Sequence, residues 1–284
     1  MGFNRKFGPF AAKIIGRAPL SPWRSILRDL APGTWRITPP AMDIATVQVV
    51  ADRHLLRFSG RHDFWFPRSM QISLELWSEY LACFWDHPAN AHYYLRGAVT
   101  LGSQDVVMDC GACEGFFAMH ALEAGARQVL CIEPSPEMVG CLEATFEKEI
   151  DEGRVTIIAV AVGSHCGDAS FSSDAADAFS GRLDQEGTAT TRIGVATIDS
   201  LTGCYGRPTF LKMDLEGFEY EALRGGLGLL EEGHPKLAIT TYHYSWDYQV
   251  IRSFLHGIGY RRFRVSSSTM RGGKVPRPMM IHAW

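Results

Sequence analysis

An aspartate, two glycines and a glutamate at fixed intervals are the residues of this chain best suited to chemistry. Asp109-Cys110-Gly111-Ala112-Cys113-Glu114-Gly115 follows a short apolar run and opens a helical stretch. Gly111 permits a tight turn, and Gly115 permits close approach of a helix or ligand to the backbone. Such a loop suits a nucleotide at the carboxyl end of the first strand of an α/β sheet. The loop departs from the dinucleotide fingerprint at its first position. An acid where GxGxxG has glycine would repel a pyrophosphate seated on the helix N-terminus. It suits a ligand with cationic groups, and S-adenosyl-L-methionine carries an ammonium and a sulfonium, so charge favours that methyl donor over NAD. Glu133 ends the next apolar run, 24 residues further on. A carboxylate there can accept hydrogen bonds from both hydroxyls of a ribose. The expected cofactor contacts are Asp109, Gly111, Ala112, Glu114, Gly115, Glu133, Pro134 and Ser135.

A second constellation lies near residue 214. Lys212, Asp214, Glu216 and Glu219 crowd one strand end and the turn after it, and His243 follows the next apolar run. Alternate residues of a strand share a side, so Lys212 and Asp214 point together, and Asp214 would also reach the methionine end of the cofactor. Methyl transfer to an alcohol needs in-line positioning and removal of the hydroxyl proton. The expected catalytic set is His243 or Asp214 as base, Glu216 orienting the acceptor, and Lys212 as ion-pair partner of an acid. Asp214, Glu216 and His243 would suit magnesium or manganese, but nothing in their spacing requires an ion, so the expectation is metal-free transfer. Cys110 and Cys113 form a CxxC without a second pair at zinc-site spacing. Tyr93, Tyr94, Tyr242, Tyr244 and Trp246 could stack on an acceptor, although most such aromatics are core.

Elements that position these residues are legible from residue 105 onward. Apolar runs at 106–108, 128–132, 155–162, 209–213 and 237–241 alternate with helical patterns at 114–123, 136–150, 219–230 and 248–256. That alternation means a mostly parallel sheet covered by helices on both faces. Runs at 260–265 and 278–283 close the chain as an antiparallel hairpin. Residues 164–190, rich in Ser, Asp, Ala and Gly, read as a long loop or strand-loop insertion. Upstream, 47–50 and 54–58 flank a turn at Asp52-Arg53, and Ser69 would cap a helix to about residue 85. The division expected is an N-terminal arm and α+β extension over 1–100, covering the substrate, and a core domain over 101–284.

Four motifs together resemble the FkbM-type methyltransferases. They are Asp109-Cys110-Gly111-Ala112-Cys113-Glu114-Gly115-Phe116-Phe117, Cys131-Ile132-Glu133-Pro134-Ser135-Pro136, Val160-Ala161-Val162-Gly163, and Phe210-Leu211-Lys212-Met213-Asp214-Leu215-Glu216-Gly217-Phe218-Glu219. The resemblance spans residues 100–243, and the last motif is the most specific. It implies a Rossmann-like class I methyltransferase fold with a seven-stranded sheet. It also implies transfer to a hydroxyl of a sugar or secondary metabolite, and Ala161 and Val162 beside the adenine. The family often has Glu before His after the fifth strand. Here Thr241-Tyr242-His243 stands there, so any role of that Glu is absent.

Bulk composition narrows the remaining classes. The chain has 284 residues, 46% hydrophobic and 21% charged, with a net charge of −3, which suits a globular core and not a nucleic-acid binder. Residues 1–28 carry Arg5, Lys6, Lys13, Arg17, Arg24 and Arg28 and no acid, leaving 22 bases against 31 acids in the rest. That arm is a candidate for peripheral membrane contact. Seven cysteines, an odd count, fit a reducing cytoplasm better than a disulfide framework. The competing functions are methylation of a macromolecule or lipid-linked acceptor, and a non-catalytic cofactor-binding module.

Overall fold

A computed structural model of the chain describes residues 44–58, 62–70, 74–88, 90–174, 177–183, 191–266, 268–269 and 277–284. The basic arm at 1–28 lies outside the described residues. The extension begins with β1 (Ile44–Val50), β2 (Arg53–Phe58) and β3 (Asp63–Pro67), an antiparallel meander. The hairpin turns where expected, and β3 extends it by a third strand. Helix α1 (Leu74–Phe84) follows.

The sheet motif then starts with β4 (Val106–Cys110), α2 (Phe116–Glu123), β5 (Gln128–Ile132), α3 (Pro136–Thr145), α4 (Glu147–Asp151) and β6 (Val155–Ile158). The Ser135 side chain caps α3 by accepting from the Met138 N–H, and Pro136 occupies the first turn, where a missing N–H costs nothing. The expected strand 155–162 is split. Its second part, β7 (Ala161–Val162), belongs to another sheet with β8 (Gly167–Asp174), β9 (Asp177–Leu183) and β10 (Thr191–Ala196) in the order β7-β10-β8-β9. The segment read as a long loop or strand-loop insertion therefore takes the second form and carries antiparallel strands.

The chain continues through α5 (Ile198–Tyr205), β11 (Phe210–Met213), α6 (Glu219–Arg224), α7 (Leu227–Gly233), β12 (Lys236–Thr240), α8 (Asp247–Gly257) and β13 (Phe263–Val265). It ends with β14 (Ser268–Thr269), β15 (Arg277–Pro278) and β16 (Met280–Ala283). The single helix expected over 219–230 breaks at Gly225-Gly226, which pass against Gly163 and Ile198. Among the described residues no helix is long and apolar enough to cross a membrane.

The main sheet has seven strands in the order β13-β16-β12-β11-β4-β5-β6, with β16 antiparallel to both its neighbours and the other pairs parallel. This is the expected α/β, Rossmann-like architecture with an antiparallel C-terminal edge. Alternation along each strand feeds two cores. Val107, Val129, Phe210 and Ala238 join one; Met108, Leu130, Leu211 and Leu237 join the other. The first core also takes in the extension. Phe116 of α2 is ringed by Phe58, Phe64, Phe66, Tyr80 and Phe84 at centroid distances of 4.9 to 6.0 Å. Arg53 donates to the Gly140 carbonyl at 2.8 Å, and the Trp65 N–H donates to Thr145 Oγ1 at 3.0 Å, fixing the meander to α3.

Candidate active site

Strand order reverses at β4, whose neighbours are β5 and β11, and the carboxyl edge at such a switch point is where α/β sheets bind ligands. A cavity of about 1110 Å³, open mouth included, lies there. Toward β5 and β6 it is lined by Ile132, Glu133, Pro134, Val160, Ala161 and Val162, with Phe171 of β8. Gly111, Ala112, Cys113 and Glu114 form its middle, and Lys212, Asp214, Glu216 and Tyr242 line it toward β11 and β12. The extension adds Glu79, Cys83 and Tyr94.

The loop after β4 is folded by its own backbone. The N–H groups of Gly111 and Ala112 both donate to the Ile132 carbonyl at 3.0 Å. Gly111 has φ +80°, and a Cβ there would lie 2.1 Å from the Asp214 carbonyl oxygen, so only glycine lets the loops after β4 and β11 touch. Of the two close approaches expected at Gly115, helix or ligand, the structure shows the helix. At φ +81° its missing Cβ leaves room for Phe146 and Leu142, at 2.7 and 2.9 Å, so it serves the packing of α2 on α3 and does not line the cavity. Ser135 is likewise occupied as the α3 cap and lies outside the lining.

Glu133 is held from both sides. One carboxylate oxygen accepts from the Cys113 N–H at 3.0 Å and the other from the Ser135 N–H at 2.9 Å. Burial pushes its pKa up to about 6 against these two bonds, so the group is ionised at neutral pH. The lone-pair sites left over point to donors such as ribose hydroxyls. Glu114 is also buried, and burial together with Glu79 pushes its pKa up to about 8. Cys110 and Cys113 are free thiols, both raised by burial.

Asp109 requires a correction. The carboxylate is fully buried, does not line the cavity, and stands 3.0 Å from Lys212 Nζ. Lys212 also donates to the Gly111 carbonyl at 2.5 Å. Burial works against the ammonium, but Asp109 and Asp214 hold its pKa well above the ordinary value. The acid at the loop entrance is thus neutralised from within, and the pair pins the loop to β11. Lys212 is the ion-pair partner foreseen, and it also lines the cavity.

Asp214 is the hub of the far end. Oδ2 accepts from Tyr94 Oη at 2.9 Å and lies 3.5 Å from His92 Nε2; Oδ1 accepts from Thr240 Oγ1 at 3.2 Å and Tyr242 Oη at 3.4 Å. Burial opposes its charge, but His92, His243 and Lys212 hold the carboxyl far below the usual range. His243 Nε2 lies 3.6 Å from Asp214 Oδ1 and 3.5 Å from Glu216 Oε2, and Nδ1 lies 3.0 Å from Glu219 Oε1. Despite burial, Glu216, Glu219 and Asp214 raise its pKa to about 11. His243 and Asp214, the two candidates for general base, do come together here. Glu216, at φ +53°, lines the cavity.

Glu79 and His92 were not foreseen. Glu79 had a signal: it lies three residues after Leu76 and one before Tyr80 on the buried stripe of α1, where an acid needs a reason. His92 had none, because irregular backbone carries it.

Residues 109–262, more than half the chain, match the methyltransferase FkbM domain, and the chain belongs to that family. The crystal structure of methyltransferase FkbM from Methylobacillus flagellatus KT aligns with 22% identity and a TM-score of 0.50, covering 70% of this chain and 50% of that one. This chain thus spans half the length of that protein. More distantly similar are precorrin-6y C5,15-methyltransferase from Geobacter metallireducens GS-15 (13% identity, TM-score 0.43, 78% and 93% of the two chains) and M. jannaschii TYW2 in complex with AdoMet (11%, 0.44, 83% and 87%). No curated protein matches the sequence.

Proposed function

We propose that the chain binds S-adenosyl-L-methionine along the carboxyl edge of its sheet and methylates a hydroxyl of a sugar or secondary metabolite. The observation that carries this reading is Glu133, a buried carboxylate fixed by two backbone N–H groups beside the apolar Ala161-Val162 wall. That arrangement suits a ribose with its base lying against the wall. The carboxylates nearby would repel a pyrophosphate and tolerate a cationic nucleoside. When bound, the cofactor supplies an electrophilic methyl group on a sulfonium; the acceptor oxygen gains the methyl, the C–S electron pair stays on sulfur, and the hydroxyl proton leaves to water.

The protein's own part is positional. The Asp109–Lys212 pair and the Gly111 carbonyl fix the loop. Asp214 and Glu216 accept hydrogen bonds from an acceptor hydroxyl and aim its oxygen, while His243 holds both carboxylates. Calorimetry with S-adenosylmethionine and NAD side by side tests the reading. One S-adenosylmethionine per chain is expected, with binding weakened about tenfold or more in Glu133→Gln, since a hydrogen bond to a charged group contributes about 1.5–3 kcal/mol. Binding of NAD alone would overturn it. A screen of sugar, phenol and lipid-linked acceptors with labelled donor would then identify the acceptor class.

A further inference from the structure

We propose that Asp214, Glu216 and His243 form a site for one divalent cation, magnesium or manganese, at the acceptor end of the cavity. The spacing along the chain gave no reason to expect an ion, but the folded geometry does. Asp214 follows β11, Glu216 lies two residues later in the turn, and His243 follows the neighbouring strand β12. One ligand atom from each falls within 4.8 Å of the other two. His243 Nε2 lies 3.6 Å from the Asp214 oxygen and 3.5 Å from the Glu216 oxygen. A six-coordinate ion with bonds of about 2.1 Å sets neighbouring ligand atoms about 3.0 Å apart, so both separations from His243 need contract by only about half an ångström.

Two further observations point to a cation. The first is the support behind His243. Its Nδ1 stands 3.0 Å from Glu219 Oε1, which leaves Nε2 facing the two cavity carboxylates. A carboxylate behind the far nitrogen is how metal-ligating histidines are oriented. Glu219 is 1% exposed, and its Oε2 has no hydrogen-bond partner among the described residues, which adds buried negative charge. The second is the charge of the enclosure. Among the described lining residues, Glu79, Glu114, Glu133, Asp214 and Glu216 are acids, of which burial and Glu79 hold Glu114 largely neutral, and Lys212 alone is a base, already committed to Asp109. A nucleoside of net charge +1 leaves that excess largely unmet.

The donor set of two oxygens and one imidazole favours magnesium or manganese over thiophilic ions. Asp214 and Glu216 line the cavity while His243 sits behind them, so the remaining coordination positions face the space an acceptor would fill. An ion there would take the acceptor hydroxyl as a ligand and ease loss of its proton to water. This last role rests on the proposed methyl transfer; the binding of the ion does not.

The test is a titration of the metal-stripped full chain with manganese, followed by the electron paramagnetic resonance of free Mn²⁺, without cofactor. One bound Mn²⁺ per chain, displaced by Mg²⁺, is expected. Glu216→Gln and His243→Gln should each weaken binding about tenfold or more, and Glu231→Gln on α7 should leave it unchanged. Circular dichroism of each variant checks its fold, and the titration of the unsubstituted chain stands even if a variant unfolds. Absence of bound Mn²⁺ in the unsubstituted chain would overturn the proposal, as would undiminished binding in both site variants. Calorimetry of the same preparation with S-adenosylmethionine separates failure of the ion site from failure of the cofactor site.

Discussion

At Glu133 two forces oppose each other. Burial disfavours the charge, two backbone N–H groups favour it, and the balance leaves a pKa of about 6. The ionised form is the one that accepts ribose hydroxyls. Affinity for S-adenosylmethionine should therefore rise with pH through about 6 and level off above it. At pH 5 roughly a tenth of the group is ionised, so binding should be about tenfold weaker than at pH 7.5. Calorimetry across that range checks this, and a flat profile would detach Glu133 from binding. Asp109 shows how far residue types alone can lead. Its unusual type in a glycine loop was plain, but its partner was not, because Lys212 stands 103 positions later and reaches it only once β11 pairs with β4. Removing one member of a buried ion pair strands the other. Lys212→Met should cost about 3–5 kcal/mol in urea unfolding, and Asp109→Asn combined with it should recover much of that loss.

Strands and helices were legible wherever one period dominated. The strand at 128–132 and the helix start at Pro136 follow from a continuous apolar run and from the fitness of proline for a first helical turn. At 164–190 a strand-loop insertion was one of two readings, but the pairing β7-β10-β8-β9 was hidden because its Ser, Asp and Gly residues give no apolar alternation. The surroundings of His243 were obscured for a related reason. Residue types at strand ends name candidates, but protonation depends on neighbours such as Glu219, which has the sequence position of an ordinary first-turn acid and is 1% exposed beside His243. The tightest constraint between elements is the contact of the loops after β4 and β11. Gly111→Ala would press a Cβ against the Asp214 carbonyl and should cost about 1–3 kcal/mol. Its thermal midpoint should fall, and binding of S-adenosylmethionine should weaken with it. An unchanged midpoint would mean that the loops need not touch.

Across the whole molecule, the extension and the main sheet share one core although sequence suggested a boundary near residue 100. The rings around Phe116 come from β2, β3 and α1, and Glu79 and Tyr94 from the same region line the cavity. Phe64, fully buried at that junction, makes the test simple. Phe64→Ala should cost about 3–5 kcal/mol and lower a single unfolding transition that includes the site. Two separate transitions in calorimetry would show that the extension folds apart. The most direct measurement is a crystal of the full chain soaked with S-adenosylhomocysteine, the demethylated cofactor. Density should place both ribose hydroxyls on the Glu133 carboxylate, the base against Ala161 and Val162, and the sulfur facing Asp214 and Glu216. A nucleoside bound elsewhere, or a cavity that stays empty at saturating ligand, would contradict that placement.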